Sequence, residues 1–202
     1  MKKYLLSCWA VAALSVLAGC RTPIGADLTS PRSAYLNLQQ NALNSRQYSA
    51  DTVKVLHRYD LEKSFKKNPD ATLEKLQTIA CNDDRRDLIY ALSELNYWNG
   101  DRQSRSVKPG VPRLARNSYF ASAIYAYLYL FGEGREAQPN PFDIRFRAAG
   151  DFYNRGLAQG LMVNTNALVE LDSGPRRTPP GVVEVQFTGR RDSRPRCRPS
   201  RA

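Results

Sequence analysis

Few residues in this 202-residue sequence could perform chemistry, and histidine is the scarcest of them. His57 is the single histidine, so any histidine-based activation of a nucleophile would have to use it. It stands beside Arg58 and near Asp60, and we interpret it as a surface or packed helical residue. The sequence contains no Gly-x-Ser-x-Gly, His-Glu-x-x-His, Walker or Cys-x-x-Cys motif. It therefore predicts no catalytic residue, no bound cofactor and no metal site.

Carboxylate pairs are the next candidates, because two neighbouring carboxyl groups can divide acid and base roles. The pairs are Asp83–Asp84 and Asp60–Glu62, and capping of helix ends explains both. Segment 132–137 has part of a dinucleotide-binding pattern, but it follows a predicted helix where that pattern requires a strand. Core packing is favoured over a ligand groove for four tyrosines of that helix, Tyr119, Tyr125, Tyr127 and Tyr129.

The elements that position these residues begin after an N-terminal targeting segment. Residues 1–19 contain two lysines and an apolar run from Tyr4 to Val16, which is about 13 residues long and too short to span a bilayer. This pattern predicts a signal peptide that is cleaved.

The four residues that end this segment, Leu17-Ala18-Gly19-Cys20, resemble the lipobox of bacterial lipoproteins. The resemblance implies cleavage before Cys20, lipidation of the Cys20 thiol and acylation of the new amino terminus. It also implies a membrane partner, reached through the lipid on Cys20. Arg21 favours the outer membrane and a periplasm-facing chain, since an Asp at this position retains enterobacterial lipoproteins in the inner membrane. The alternative is an ordinary signal peptide in which Cys20 is incidental.

Two cysteines besides Cys20 would remain after cleavage, because Cys8 lies inside the signal. Cys81 and Cys197 could pair in an oxidising compartment. Two unpaired thiols are favoured, since Cys197 lies in a segment that is predicted to be disordered.

The formal net charge of +11 is located mainly at the two ends of the chain. Lys2 and Lys3 lie in the signal, and residues 174–202 contain eight Arg against two acids. Residues 4–173 contain 20 basic and 17 acidic residues, so a basic face that follows a phosphate backbone is not indicated. We therefore expect no nucleic-acid partner.

Apolar spacing predicts a helical body. The predicted helices cover 31–44, a segment capped by Ser49 that ends near Asp60, a turn at 61–65, a segment through Leu73 and Leu76, 83–100, 118–131, and a last helix from Pro139 or Pro141 to Leu157. A polar loop is predicted over 101–112. Alternation at Val169 and Leu171, and again at Val183, Val185 and Phe187, predicts two strands.

The predicted fold class is mainly α, a bundle of helical hairpins that resembles tetratricopeptide hairpins, followed by a short β-hairpin and a disordered basic tail. The predicted organisation is a signal peptide (1–19), a tether (20–29), a helical domain (30–163), a β-hairpin segment (164–188) and an Arg-rich tail (189–202). The likeness to tetratricopeptide hairpins depends on small residues opposite large aromatic ones, because no 34-residue repeat occurs.

Six blocks carry a family resemblance: residues 21–25 after the lipobox, 35–43, Ala91–Leu95, Ala123–Phe131, Pro141–Arg147 and Asp151–Leu157. Together they resemble the N-terminal helical region of large bacterial exported proteins that carry an α/β-hydrolase domain of esterase or lipase type. The resemblance covers residues 21–188, and its most specific element is Asp-x-Tyr-Asn-Arg-Gly-Leu. It implies a non-catalytic helical region, with a hydrolase domain as its neighbour.

The sequence departs from that family after Thr188. Six of the last fourteen residues are Arg, with no apolar period, and this composition resembles GC-rich coding sequence that is read in a shifted frame. We therefore expect a truncation before the catalytic domain. No catalytic residue of the family can be assigned to a position of this chain. Translation of the downstream DNA in the other two frames tests this hypothesis.

The function predicted from the sequence is a lipid-anchored helical domain, the non-catalytic part of a hydrolase-type lipoprotein. The alternative is a tetratricopeptide-like periplasmic scaffold that binds protein partners. A third interpretation is binding of an anionic surface by the tail, which would be sensitive to salt.

Overall fold

The computed structural model describes residues 28–83, 85–108, 110–133, 136–162 and 173–186, without the side chains of Pro112 and Arg113. The chain divides into two compact units, residues 1–35 and 36–202. In the described part of the first unit, Ser30 Oγ accepts a hydrogen bond from the Ser33 backbone N–H at 3.2 Å. The predicted signal peptide, Cys20 and the Arg-rich tail lie outside the described residues.

The described residues form seven helices and two strands. These are α1 (Pro31–Gln39), α2 (Ala50–Arg58), α3 (Glu62–Lys67), α4 (Pro69–Asn82), α5 (Arg86–Ser104), α6 (Val111–Phe131), α7 (Ile144–Leu161), β1 (Gly174–Thr178) and β2 (Gly181–Val185). The predicted fold class, mainly helical with a short β-hairpin, is confirmed. The tail, predicted to be disordered, lies outside the described residues.

Side-chain caps define the short helices. Ser49 Oγ accepts from the Thr52 backbone N–H at 3.3 Å, which confirms the predicted start of α2. Asn68 caps α4 in the same way through the Ala71 backbone N–H at 3.4 Å, and Pro69 occupies the first turn, where it sacrifices no helical hydrogen bond.

Several predicted helix boundaries are wrong. α1 ends at Gln39 rather than at residue 44, and none of its side chains is buried, so the predicted apolar stripe has no packing to extend it. α7 begins after Asp143 rather than at Pro139 or Pro141. Asp143 Oδ1 accepts a hydrogen bond from the backbone N–H two residues later at 2.9 Å, and this cap sets the start of α7.

The predicted end of α5 at Gly100 is also wrong, because α5 continues to Ser104. α6 begins at Val111 rather than at residue 118, so the predicted 101–112 loop shrinks to the residues between Ser104 and Val111. Gly100 is required for close packing rather than for termination. A Cβ atom on Gly100 would lie 2.9 Å from the Tyr119 ring of α6. The glycine therefore lets the two helices approach.

Helix α5 lies between two hydrophobic clusters. One cluster joins it to α6 and α7 and is rich in aromatic residues, among them Tyr90, Tyr97, Tyr119, Tyr129 and Phe152. The other joins it to α2, α3 and α4 and is mainly aliphatic, with Val55, Leu56, Leu61, Phe65, Leu73, Leu76, Leu88, Leu92 and Leu95. Trp98 packs against both clusters.

The strands β1 and β2 pair in antiparallel register, with Gly174 opposite Val185 and Thr178 opposite Gly181. The second predicted strand is confirmed for Val185 and its neighbours, while Phe187 and the predicted first strand at 169–171 lie outside the described residues. Residues 174–178, predicted as part of the connection, form β1 instead. Their partners in β2 supply the backbone hydrogen bonds that an isolated Gly-Pro segment lacks.

Candidate functional site

The candidate site is a cleft of about 340 Å³ where the β-hairpin meets the helices, and we call it the hairpin cleft. Its walls come from α4, α5, α6 and both ends of the hairpin turn. The lining is mainly apolar and consists of Gln77, Ala80, Cys81, Ile89, Ala121, Ile124, Tyr125, Leu128, Thr178, Gly181, Val182 and Val183.

Arg176 of β1 holds the hairpin against the helices. Its guanidinium donates to the Gly160 carbonyl oxygen at 2.9 Å and lies 4.8 Å from the centre of the Phe120 ring. Gly160 is in the last turn of α7, where carbonyl groups lack helical partners and the helix dipole favours a positive charge. One side chain thus caps α7, packs on α6 and fixes the wall of the cleft.

Two glycines of α7 allow this arrangement. A Cβ atom on Gly156 would lie 2.7 Å from the Tyr119 carbonyl oxygen, and one on Gly160 would lie 2.9 Å from the Phe120 Cα. These distances are too short for any side chain. The spacing of four residues places both glycines on the face of α7 that packs against α6.

Arg86 caps the C-terminal end of α6, as Arg176 caps that of α7. The Arg86 guanidinium donates to the carbonyl oxygens of Tyr129, Gly132 and Ala137, each at 2.8 Å. Two of these oxygens belong to the C-terminal end of α6 or to its cap. Arg86 therefore orders the chain that leaves α6 beside the hairpin cleft.

The cleft contains one thiol and one phenol. Cys81 is exposed and forms no disulfide with the described residues; its pairing with Cys197 stays a prediction, because Cys197 lies outside them. Burial, with a smaller contribution from Cys81, raises the pKa of Tyr125, so the phenol stays neutral. The walls carry apolar surface and neutral polar groups rather than an acid–base pair.

The histidine and carboxylate candidates lie outside this cleft. His57 Nε2 is 2.6 Å from Glu62 Oε2, and Glu62 also forms an ion pair with Lys66 at 2.7 Å, so these three side chains form an exposed network of polar contacts. The hydrogen bond from the Arg85 guanidinium lowers the pKa of Asp83 to about 2; burial opposes this shift, and the Tyr59 hydroxyl adds to it. Asp84 lies outside the described residues.

The tyrosines of α6 separate into two groups. Tyr119 and Tyr129 are buried in the aromatic cluster, as the core interpretation predicts. Tyr125 lines the hairpin cleft, and Tyr127 is 50% exposed with its ring 5.2 Å from that of Phe131. Tyr127 therefore forms surface, while Tyr125 is half-buried and also packs against the aliphatic cluster.

The sequence interpretation missed a buried carboxylate, Glu94 of α5, which has no exposed surface. Its Oε1 accepts from the backbone N–H groups of Ala42 and Ser49 at 3.0 Å each. Its Oε2 accepts from Ser49 Oγ at 2.6 Å and from Thr52 Oγ1 at 2.5 Å. Burial raises the pKa of Glu94, while these four donors act in the opposite direction. The one available signal was a glutamate between Leu92 and Leu95 on an apolar stripe.

The described residues contain no group of three or more metal-ligating side chains, and none of their helices has the length and hydropathy needed to span a membrane. No family model, curated protein or solved structure matches the chain. The fold and the geometry of the described residues are therefore the basis for any functional statement.

Proposed function

We propose that this chain is a lipid-anchored, non-catalytic helical domain whose hairpin cleft seats an α/β-hydrolase-type catalytic domain. One observation carries the proposal: an apolar cleft lies beside a sheet that has two strands within the described residues, and the second of them has no further partner there. Val182 of β2 is 67% exposed at the rim of this cleft. Anchoring through Cys20 rests on the lipobox resemblance.

The open strand supports a partner that brings a strand of its own. The described sheet has two strands, so each strand forms ladder hydrogen bonds on one side only within the described residues. A two-stranded sheet is marginally stable in water, and an exposed edge accepts an added strand readily. A sheet-containing domain would extend β2 and cover the apolar wall in one contact.

Site-specific cross-linking tests the docking. A photoreactive phenylalanine analogue at Val182 should cross-link the membrane-bound protein to one partner that a fluorophosphonate probe labels, since this probe reacts with serine hydrolases. The matched control is the same analogue at Lys63, an exposed residue of α3 that does not line the cleft. No cross-link at Val182, or equal cross-linking at both positions, would contradict the proposed docking.

Metabolic labelling tests the anchor separately. Labelled palmitate should enter the wild-type chain and should not enter Cys20→Ser, which should leave the membrane fraction. Cys81→Ser is the matched control, because Cys81 is the exposed cysteine among the described residues. Labelling that persists in Cys20→Ser would refute lipidation at this residue.

A tetratricopeptide-like scaffold is the second candidate function, and the exposed aromatic face of α6 and α7 favours it. Tyr127 lies 5.2 Å from Phe131 and 6.1 Å from Tyr153, ring centre to ring centre. Exposed aromatic clusters are common in protein interfaces. A photoreactive analogue at Tyr127 that cross-links a partner which does not react with fluorophosphonate would favour this function over the first.

A further inference from the structure

A second cleft, of about 720 Å³, lies between the end of α1, the segment before α2, α2 itself, α3 and α5. We call it the aromatic cleft, and it shares no lining residue with the hairpin cleft. Its volume is within the range of small-molecule sites. Three properties of its wall specify the ligand: the sign of its charge, its rings and its amides.

Every charged residue that lines the aromatic cleft is basic: Arg46, Lys54 and Lys66. Lys54 and Lys66 each have an exposed carboxylate partner, Asp51 at 2.9 Å and Glu62 at 2.7 Å, but neither acid lines the cleft. Exposed pairs of this kind contribute about 0–1 kcal/mol, so an incoming anion can compete for the ammonium groups. Arg46 is exposed and forms no ion pair with the described residues. The cleft therefore presents net positive charge, although the helical body is nearly neutral.

The apolar part of the wall is a fixed group of three rings. The Tyr48 ring lies 5.8 Å from Phe65 and 6.0 Å from Trp98, and Phe65 lies 5.3 Å from Trp98. Phe65 is fully buried, while Tyr48 and Trp98 keep part of their surface in the cleft. Trp98 Nε1 donates to the Arg46 backbone oxygen at 2.9 Å, and this bond connects the ring to the segment that carries Arg46.

Neutral amides complete the lining. Gln40 Nε2 donates to Gln47 Oε1 at 2.6 Å, and Asn37 lies on the same wall. An amide side chain offers both donors and an acceptor, which matches hydroxyl groups that also donate and accept. A polar ligand with ring-like apolar faces, several hydroxyl groups and negative charge would satisfy the three components together.

We propose that the aromatic cleft binds an acidic carbohydrate, with the sugar faces on Tyr48 and Trp98, hydroxyl groups on the amides and a carboxylate on Arg46. A carboxylate accepts two parallel hydrogen bonds from a guanidinium, so Arg46 would orient the sugar as well as attract it. This site is independent of the docking at the hairpin cleft.

Tryptophan fluorescence provides the test, because the sequence contains two tryptophans, Trp9 and Trp98. In the full chain that carries Trp9→Phe, Trp98 alone reports binding. Titration with a trimer of galacturonate should change its emission with saturation, and the neutral methyl ester of the trimer should bind at least about tenfold more weakly. Raising the salt concentration should weaken the binding of the acidic trimer more than the binding of its methyl ester.

Variants of exposed lysine and arginine residues separate the site from general charge. Arg46→Ala should lower the affinity at least about tenfold, while Lys75→Ala, on the exposed face of α4, should leave it unchanged. Equal binding of trimer and methyl ester, or no saturable change, would overturn the proposal. Binding that depends on Arg46 but occurs only with phosphatidylglycerol vesicles would overturn it in favour of a membrane surface.

Discussion

Replacing Glu94 with alanine should destabilise the whole second unit, because the carboxylate is the acceptor for four buried donors. The two hydroxyl donors, Ser49 Oγ and Thr52 Oγ1, lie 3.3 Å apart and retain each other as partners. The two backbone N–H groups, of Ala42 and Ser49, have no such substitute in the described residues. The loss of hydrogen bonds therefore affects mainly the backbone of the segment that precedes α2.

The magnitude follows from these donors. A buried donor that loses its partner costs about 1–3 kcal/mol, and truncation of a buried side chain adds a cavity. We expect Glu94→Ala to lower the free energy of unfolding by about 3–5 kcal/mol, which corresponds to a fall in Tm of about 10 °C for a domain of this size. Glu94→Gln keeps one acceptor oxygen and the volume, so its loss should be about 2 kcal/mol.

Urea unfolding followed by far-UV circular dichroism measures these differences. Glu74→Ala is the matched control, since Glu74 is exposed on α4 and its change should stay within about 0.5 kcal/mol. Amide hydrogen exchange should also show lost protection over residues 42–52 in Glu94→Ala. A Glu94→Ala protein as stable as Glu74→Ala would refute the structural role of the carboxylate.

Three further predictions concern the packing of the hairpin and the charge at the start of α5. Gly160→Ala should cost about 1–3 kcal/mol in urea unfolding because its Cβ would meet the α6 backbone, while Gly150→Ala, which has open space, should stabilise α7 by about 0.5–1 kcal/mol; equal effects would contradict the packing argument. Arg176→Ala should lower hydrogen-exchange protection of β1 and β2, whereas Arg177→Ala, on the exposed face of β1, should not. The pKa of Asp83 is lowered from 3.8 to about 2, so its ion pair stabilises the fold above about pH 4 and is lost as pH falls towards 2. The difference in Tm between wild type and Asp83→Asn should therefore shrink over that interval, and a constant difference would show that the carboxylate is not coupled to folding.

Local patterns were sufficient for much of the helical body. Ser49 and the apolar spacing of Leu73 and Leu76 predicted α2 and α4, because caps and one-sided hydrophobic stripes act within a few residues. The continuous apolar run before Phe131 predicted α6 for the same reason.

The candidate site could not be predicted in this way, because its key contacts connect distant parts of the chain. Arg86 and Arg176 are ordinary surface residues by composition, and each becomes a helix cap only when a helix end from elsewhere meets it. The predicted 83–100 helix stops at Gly100 for the same reason, because the group that requires a glycine there, the Tyr119 ring, lies on another helix. The β1 strand likewise depends on its pairing with β2 rather than on its own Gly-Pro-Arg-Arg-Thr sequence.

The position of α5 between two hydrophobic clusters has a consequence for cooperativity. Since α5 contributes residues to both clusters, the aromatic cluster and the aliphatic cluster cannot lose their packing independently of each other. Trp98 contacts both sides, so its emission should follow the same unfolding curve as the helical signal. The two clefts share no lining residue, but both belong to a single folding unit. A destabilising substitution beneath one cleft therefore also lowers the fraction of molecules in which the other cleft is folded.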